Sequence, residues 1–567
     1  MMKNRKILLF LAVAALLAAP VRSAGLPPLP DKPGATVKGY VECEGRGVEG
    51  VVVSDGFNVV KTDAEGRYWL KTKLSRSEFV MISTPRGYDP EVYSGFLPKF
   101  FHALDKTADK KSVQQFDFHL TRAANDDYTL LVVADEHVSG RVIDIPPGSG
   151  NVIAPVDSIQ FRDDFMPRLV EYADSLMRRT PVYGLNLGDM THSEYWFRNN
   201  TGMAEYLRLA KDTPFLMYHV IGNHDHCHKY ENDYEAETEY RKYFGPTYYS
   251  FNIGKAHFIM LDNTVYLNAG ADASTRTPGD HSYNSAFTEM ELAWLKADLA
   301  TVKDKNAPLV IGTHCQVFYY NSSLDITPSM AYGHSTVLDQ LLADFTDVHI
   351  ISGHTHNNTT MKIRNGLMEH NTGGSCATWW WTGYYSNGHI CKDGAPGGMG
   401  VYEFRDTDLE WYYKGYGEPR DFQLRTYDMN NVKTFFANNS VIRNMIRYYP
   451  DRNDYANVGN NVVYINVWGW DPEWKVSVKE NGVELNPTRV YMKDPLHTYA
   501  YDATRVYKNS NNTYTEVLTS SNNYHLFAAN ASSATSTLTI EVTDRFGNKY
   551  TETMSRPKEF AAQIENL

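Results

Sequence analysis

Hydrophobic and polar residues repeat with two different periods along this chain. Between residues 125 and 415, short apolar runs such as LLVV and LVIG alternate with longer segments. The longer segments, such as DSIQFRDDFMPRLVEYADSLMRRT (157–180) and ELAWLKADLA (291–300), carry apolar residues at helical spacing. Strands and helices that alternate in this way predict an α/β sandwich for the central part of the chain.

Both flanks of this central part show the apolar–polar alternation that is typical of β-strands. Residues 36–124 include ATVKGYVEC and SEFVMISTP, with Gly and Asp between the apolar stretches. Residues 430–567 include WKVSVKENGVELN and STLTIEVTDRFGNKYTETM, in which ENG and FGN are turn signals. We therefore predict an N-terminal and a C-terminal β-sandwich, with residues 416–429 as the linker to the second.

The first 23 residues have the composition of a secretory signal peptide. Three basic residues precede an apolar stretch, residues 7–19, and VRS (21–23) supplies a small-residue cleavage site. A Pro-rich tether, residues 24–35, would follow. The apolar stretch is too short to span a membrane, and no cysteine near the cleavage site offers a lipid anchor. We therefore expect a periplasmic or secreted protein.

Five of the apolar runs in the central part end in a polar motif. The motifs are LVVADEH (131–137), LNLGDM (185–190), VIGNHD (220–225), VIGTHC (310–315) and IISGHTH (350–356). The carboxyl ends of buried parallel strands meet at one edge of a sheet, so these polar side chains should line one cleft. The motifs therefore predict a single composite site.

The residue types in the motifs suit phosphoester hydrolysis at two metal ions. Two divalent ions roughly 3.5–4 Å apart lower the pKa of a bound water and hold the attacking and leaving oxygens. Such a pair needs oxygen and imidazole ligands, with one carboxylate as a bridge. Asp189 is the predicted bridge, because it stands between two Gly-containing turns and has no neighbouring carboxylate. His354 and His356 can leave one tight turn toward different ions.

In this order the motifs resemble the calcineurin-like metallophosphoesterase superfamily, over about residues 127–415. The resemblance implies a four-layer α/β/β/α sandwich with flanking β domains. It implies these metal ligands: Asp135, His137, Asp189 and His356 for one ion, and Asp189, Asn223, His314 and His354 for the other. It makes His224 the general acid that protonates the leaving alkoxide, oriented by Asp225. The implied reaction is a direct in-line attack by metal-bound hydroxide, without a phosphoenzyme.

Two sub-families of this superfamily have motif residues that this chain lacks. Protein Ser/Thr phosphatases follow the second motif with an Asp-Arg pair and carry GNHE, whereas this chain reads GDMTHSE and GNHD. Purple acid phosphatases have a tyrosine at the position of His192, so ferric–tyrosinate chemistry is not expected. The chain is more similar to the broad acid-phosphatase and phosphodiesterase branch. His192 is either a substrate contact or an imidazole on a surface loop.

The flanks extend the resemblance. The run GVEGVVVSDG…KTDAEGRYWL is similar to the carboxypeptidase-regulatory-type β-sandwich of exported bacterial proteins. The three-module order resembles a calcineurin-like group with dedicated N- and C-terminal domains. Because the N-terminal module has no cluster of catalytic residues, we expect it to be a spacer or a lid.

Substrate recognition is predicted to come from residues 370–400, directly after the last motif. This segment contains Trp379, Trp380 and Trp381 in succession, which cannot all face the core. They either form an aromatic ledge over the metals, for a sugar ring, a base or an acyl chain, or seal the contact with a flanking β domain. Secondary candidates, in the loop after the fourth motif, are Tyr319 and His334.

The sequence leaves the metals and the thiols open. Mixed His, Asp and Asn ligands suit Mn, Fe, Zn or Co. The chain has five cysteines, of which Cys376 and Cys391 bracket a loop and could form a disulfide. Cys227 and Cys315 lie beside motif histidines, where buried, inert thiols explain them better than thiolate ligands do.

Charge and motifs together favour a small-molecule hydrolase. The formal net charge of −12 becomes −16 without residues 1–23, which hold four basic and no acidic residues. Such a protein is a poor candidate for binding a nucleic-acid polymer or an anionic membrane. The expected substrate is a small-molecule, glycan or lipid phosphoester, either a monoester or a diester. The alternative is a catalytically inactive protein that binds metal or glycan, although no predicted ligand is missing.

Overall fold

The computed structural model describes residues 26–109, 112–145, 148–275, 277–452, 454–508, 513–515 and 518–560. The predicted signal peptide, residues 1–23, lies outside these ranges. Within them, every helix is too short or too polar to cross a membrane.

Two sheets packed face to face form the centre of the molecule. In spatial order, the first central sheet contains Met217–His219, Val182–Asn186, Asp127–Val133, Gly398–Arg405 and Asp408–Gly415. The second central sheet contains Tyr249–Ile253, Ala256–Met260, Leu309–Gly312, Val348–Ser352, Leu367–Asn371 and Thr359–Arg364. Tyr128 stacks on Phe404 of its own sheet with ring centroids 4.5 Å apart and faces Phe258 of the other sheet at 6.5 Å. The apolar core therefore lies between the two sheets.

Helices cover the outer face of each central sheet. The central helices are Asp157–Gln160, which continues through a π-turn at Phe161–Phe165 into Met166–Met177, and then Ser193–Trp196, Met203–Leu209, Asp233–Ala236, Thr238–Phe244, Glu289–Leu299 and His334–Leu341. Phe165 and Leu169 pack on the first sheet, and Trp294 and Leu295 belong to the core of the second. The layers are α/β/β/α, so the predicted fold class is confirmed.

Parallel pairing brings the five motifs to one edge. The strands before the first three motifs are parallel neighbours in the first central sheet. The strands before the last two motifs are parallel neighbours in the second central sheet. All five loops therefore leave the carboxyl ends of adjacent strands, as the sequence predicts.

The N-terminal part forms two small sheets. Their strands are Val37–Cys43, Arg46–Gly47, Val52–Ser54, Val59–Lys61, Arg67–Leu70, Phe79–Ser83, Tyr88–Pro90, Phe101–Ala103, Gln114–Gln115 and Phe118–Arg122. Asn252 donates its backbone N–H to the Thr84 carbonyl at 2.9 Å, and the Tyr183 hydroxyl donates to Asp89 at 2.8 Å. Both contacts tie these sheets to strands of the two central sheets.

The C-terminal part also forms two sheets. Their strands are Arg425–Asp428, Val462–Asn466, Asn522–Asn530 and Thr488–Lys493 in one, and Val483–Glu484, Lys475–Glu480, Leu538–Thr543 and Lys549–Met554 in the other. The first of these strands lies inside the stretch predicted as a linker, so the sheet begins earlier than expected.

The same region contains helices that the sequence analysis missed. They are Met429–Asn438, Ser440–Tyr448 and the irregular helix over residues 495–505. Asn439 ends the first helix and caps the second, because its side chain accepts from Val441 and Ile442. Asn439 therefore marks the junction between the two helices.

Short hairpins complete the fold. They pair Val92–Tyr93 with Leu97–Pro98, Ile143–Asp144 with Val152–Ala154, Thr264–Tyr266 with Tyr283–Ser285, Phe318–Tyr320 with Ile326–Pro328, and Tyr507–Lys508 with Tyr514–Thr515. The hairpin after the first motif packs Ile143 against Trp381 and Tyr501. This hairpin therefore contacts both the segment after the last motif and the C-terminal part.

Candidate metal centre

The backbone turns sharply at most of the predicted ligands. Positive φ angles of 55°, 45°, 55°, 70° and 57° occur at Asp135, His137, Asp189, His354 and His356. Left-handed backbone is unfavourable for residues with a Cβ atom and costs on the order of 1 kcal/mol at each position. The fold maintains it at five residues that share one edge, and this concentration of strain marks a functional site.

Two glycines allow the second and third motif loops to touch. A Cβ atom on Gly222 would lie 2.3 Å from both the backbone nitrogen and the Oδ1 atom of Asp189. One on Gly188 would lie 2.6 Å from the Gly222 nitrogen. Any larger residue would push these loops apart, so the glycines of both motifs are steric requirements of the site.

One group of donor atoms forms around Asp135 and two imidazoles. His137 Nε2 lies 3.0 Å from His356 Nε2 and 3.7 Å from Asp135 Oδ1. His356 Nε2 lies 3.6 Å from the same carboxylate oxygen, and His137 Nε2 lies 3.7 Å from Asp189 Oδ2. All four side chains are buried.

A second group shares the same Asp189 oxygen. Asp189 Oδ2 lies 3.2 Å from His314 Nε2, which is 3.0 Å from Asn223 Oδ1 and 3.2 Å from His354 Nδ1. Asp189 Oδ1 accepts the backbone N–H of His224 at 2.7 Å. The structure therefore brings all seven predicted ligands together as two groups of four with Asp189 in common.

The donor chemistry fits metal ions. His314 Nδ1 lies 2.8 Å from the Leu187 carbonyl and His356 Nδ1 lies 2.6 Å from the Ala377 carbonyl. Each Nδ1 therefore carries the proton of the neutral ring, and each Nε2 presents a lone pair to the cluster. Asp135 Oδ1 is buried there without a hydrogen-bond partner. Cations would satisfy these converging lone pairs, and the carbonyls would fix the ring orientations.

The charges at the shared ligand favour an ionised carboxylate. Burial opposes ionisation of Asp189, but His314 and His224 outweigh burial and hold the pKa of Asp189 well below its ordinary value. Burial likewise opposes protonation of His314, yet Asp189 raises the pKa of His314 to about 9. Without metal, a proton on His314 thus provides part of the positive charge that Asp189 attracts.

Two further histidines lie beside the donor groups. The His224 ring is 5.2 Å from the His137 ring and 4.0 Å from the His192 ring, and His224 Nδ1 has no hydrogen-bond partner. Burial, followed by the charge of His224, lowers the pKa of His192 well below 6.5. His192 is therefore a neutral imidazole within the site and not one on an open surface loop.

Asp225 does not orient His224, contrary to the role that the resemblance implies. Its carboxylate accepts the backbone N–H groups of Gly222 at 3.1 Å, Met190 at 3.3 Å and Thr191 at 3.1 Å. It also accepts the Thr191 hydroxyl at 3.2 Å. Because these donors belong to the second and third motif loops, Asp225 fastens the two loops to each other.

We predict that Asp225→Asn destabilises the protein by about 2–3 kcal/mol, because the new NH₂ group would face backbone N–H donors in a buried place. Urea unfolding monitored by tryptophan fluorescence measures this change. The matched control is Asp212→Asn, at an exposed position in the same domain. Equal unfolding midpoints for the two variants would contradict the fastening role.

The three consecutive tryptophans have different environments. Trp379 is half-buried, with its ring 5.0 Å from His356 and 6.3 Å from His137. Trp380 is fully buried and donates its ring N–H to the Glu136 carbonyl at 2.8 Å. Trp381 packs against Tyr501 of the C-terminal part, with ring centroids 6.3 Å apart. Trp379 therefore lies beside two of the predicted metal ligands, and Trp381 lies at the contact with the C-terminal part. Whether Trp379 contacts a substrate stays a prediction.

The secondary candidates lie away from the donor groups. Tyr319 is 40% exposed on its hairpin. His334 Nδ1 accepts the backbone N–H of Phe287 at 3.0 Å and serves the local fold. The structure shows two neighbours that the sequence analysis missed: the Tyr283 hydroxyl lies 3.2 Å from His354 Nε2, and Lys392 Nζ lies 4.9 Å from the Trp379 ring centre. No motif contains either residue, so only the tertiary fold identifies them.

All five cysteines are free and buried. Cys376 and Cys391, which could have formed a disulfide, remain unpaired. Burial raises the pKa of Cys376 well above 9 and that of Cys315 to about 12, so both are neutral thiols. Cys376 Sγ is 3.8 Å from His356 Nδ1, but that nitrogen already bonds the Ala377 carbonyl. The burial and the raised pKa of these thiols therefore indicate that they are inert.

Three family profiles match the chain. "Calcineurin-like phosphoesterase" matches residues 128–358, "N terminal of Calcineurin-like phosphoesterase" matches residues 35–123, and "C terminal of Calcineurin-like phosphoesterase" matches residues 369–550. No curated protein matches the chain.

Similar solved structures include a dimetal phosphatase from Danio rerio and a purple acid phosphatase from yellow lupin (Lupinus luteus) seeds. The first is 14% identical, with a TM-score of 0.36, and the match covers 51% of this chain and 96% of that one. The second is 11% identical, with a TM-score of 0.34, and the match covers 65% of this chain and 68% of that one.

Proposed function

The chain belongs to the calcineurin-like phosphoesterases, a family of metal-dependent hydrolases, and we propose that it is an exported enzyme that cleaves a phosphomonoester or phosphodiester at two metal ions. One observation carries this proposal. Seven side chains converge as two groups of four donor atoms that share Asp189 Oδ2. Export rests on the composition of residues 1–23, and the N-terminal sequence of the mature protein tests it.

The first group would hold one ion through Asp135, His137, Asp189 and His356. The second would hold the other through Asp189, Asn223, His314 and His354. Bound divalent ions would lower the pKa of a water and neutralise the charge of the phosphate. Imidazole, carboxylate and amide donors suit Mn, Fe, Zn or Co.

His224 would be the general acid. Its ring stands beside His137 but belongs to neither donor group, and its backbone N–H is fixed by Asp189 at 2.7 Å. A proton on this ring can pass to the leaving oxygen of a phosphate bound between the donor groups. His192, 4.0 Å away and neutral, limits how the His224 ring can turn.

The ester type can be resolved by a rate comparison. The enzyme is stripped of metal, reloaded in turn with Mn, Zn, Fe and Co, and assayed on 4-nitrophenyl phosphate and bis(4-nitrophenyl) phosphate. We expect metal-dependent hydrolysis of at least one substrate, and the ratio of the two rates distinguishes a monoesterase from a diesterase. A protein that holds two metals and hydrolyses neither ester would instead favour a binding function.

A further inference from the structure

Two cations contact Trp379 beside the metal centre, and a third lies on the neighbouring Trp381 and Tyr501 rings. Lys392 Nζ lies 4.9 Å from the Trp379 ring centre, and Arg141 Nη2 donates to the Trp379 carbonyl at 2.9 Å. Arg505 approaches from the C-terminal part. Throughout the described ranges, the carboxylate oxygens all lie more than 4.0 Å from these three charges, although the protein carries a net charge of −12. Unpaired cations clustered in an acidic protein indicate a place for an anion.

A series of ring contacts connects the metal ligands to Arg505. The Trp379 ring lies 5.0 Å from the His356 ring on one side and 6.0 Å from the Tyr501 ring on the other. The Arg505 guanidinium carbon lies 4.9 Å from the Tyr501 ring and 4.2 Å from the Trp381 ring. Contacting aromatic side chains therefore connect the metal ligands to the C-terminal domain.

Arg505 is held in place by aromatic rings, and no described residue accepts a hydrogen bond from its Nε atom. Its guanidinium stacks on Trp381, and its Nε atom is buried without a hydrogen-bond partner. An arginine whose plane is fixed by an aromatic ring presents its N–H fork to a carboxylate or phosphate in two parallel bonds. The charge of Arg141 also acts on Arg505. The Arg141 guanidinium carbon lies 5.9 Å from the Tyr195 ring, and the Tyr195 ring lies 5.0 Å from the His192 ring of the candidate site.

We propose that Arg141, Lys392 and Arg505 form a subsite, here called the cationic subsite, which binds a second phosphate group of the substrate. This inference rests on the proposed function. Three positive charges match a phosphate dianion better than a single carboxylate, and the bidentate fork of Arg505 suits phosphate oxygens. The substrate class is therefore a phosphoester that carries another phosphate, with a ring or chain between them that lies along Trp379 and Tyr501. The C-terminal domain contributes to specificity through Arg505 and Tyr501.

The test compares three sugar phosphates that differ in the second anion. Glucose 6-phosphate has none, 6-phosphogluconate has a carboxylate, and glucose 1,6-bisphosphate has a phosphate. With the metal-loaded enzyme, we expect kcat/KM to be about tenfold higher for the bisphosphate than for glucose 6-phosphate, through a lower KM. Arg505→Gln should reduce this preference by about fivefold or more. Lys392→Gln, within the catalytic domain, should act in the same direction if the first variant folds poorly.

The matched control is Arg489→Gln. Arg489 also stacks on a tryptophan of the C-terminal part, with its guanidinium carbon 4.5 Å from the Trp470 ring. We expect this variant to keep the preference of the unmodified enzyme. A second readout is calorimetric binding of the bisphosphate to His224→Ala protein, with and without Arg505→Gln, where the affinity should fall about tenfold.

The outcomes separate the two proposals. The cationic subsite would be wrong if an active enzyme showed equal kcat/KM for all three sugars. It would also be wrong if Arg505→Gln and Arg489→Gln had the same effect. A preference for 6-phosphogluconate over the bisphosphate would overturn the assignment to phosphate. No metal-dependent hydrolysis of these sugars or of the nitrophenyl esters would overturn the proposed function itself, and calorimetry would still report on the subsite.

Discussion

Replacing Asp189 with asparagine should lower kcat by about 10³-fold or more and reduce the bound metal from two ions to one or none. Asp189 Oδ2 lies in both donor groups, 3.7 Å from His137 Nε2 and 3.2 Å from His314 Nε2. An amide keeps the size of the side chain but removes the charge that a bridging ligand must supply. Loss of a metal ion removes several kcal/mol of transition-state stabilisation, and 1.36 kcal/mol corresponds to a factor of ten in rate.

The measurement pairs metal content, from plasma mass spectrometry, with initial rates on the nitrophenyl ester that the unmodified enzyme prefers. Asp298→Asn is the matched control, since Asp298 is a buried carboxylate that bonds Ser250 at 2.7 Å and His257 at 2.8 Å away from the site. The control should retain two metals and most of the rate. If Asp189→Asn retained two metals and full activity, the bridging role would be wrong.

The sequence predicted the central fold and the convergence of the ligands because both depend on local signals. Buried parallel strands need apolar runs, and polar residues directly after such strands must lie at the carboxyl edge. Asp135, Asp189 and His314 follow this rule. The positions of these residues depend on the order of the strands in the sheets, and the order of the motifs along the chain already constrains that strand order.

Other features depend on contacts that have no local signature. The resemblance implied that Asp225 orients His224, but its carboxylate accepts the backbone N–H groups of Thr191 in the second motif loop and Gly222 in its own loop. Lys392 and Arg505 are 113 positions apart and acquire meaning only where the C-terminal domain packs on Trp381. Alternation of apolar residues gave the C-terminal strands correctly, whereas the two helices capped at Asn439 were hidden by Asn-rich sequence that is typical of turns.

Replacing His224 with alanine should lower kcat by about 10²–10⁴-fold while both metals stay bound, because the ring donates a proton without being a ligand. The effect should depend on the leaving group. A nitrophenolate leaves readily without a proton, whereas an alkoxide needs one, so the loss should be larger for an alkyl phosphate than for the nitrophenyl ester. Rates on the two substrates and metal content on the same samples provide the comparison.

His192→Ala is the matched variant for this prediction. His192 has the neighbouring ring, 4.0 Å away, but its lowered pKa keeps it neutral near neutral pH, and a neutral imidazole is too weak an acid to protonate the leaving oxygen. Its removal should therefore reduce the rate less than removal of His224 and by the same factor on both substrates. If His224→Ala retained full activity on the alkyl ester, or if His192→Ala showed the stronger dependence on the leaving group, the proton donor would have to be assigned elsewhere in the cleft. Metal content distinguishes loss of the proton donor from weaker metal binding. A variant that bound metal more weakly would hydrolyse both esters more slowly by the same factor.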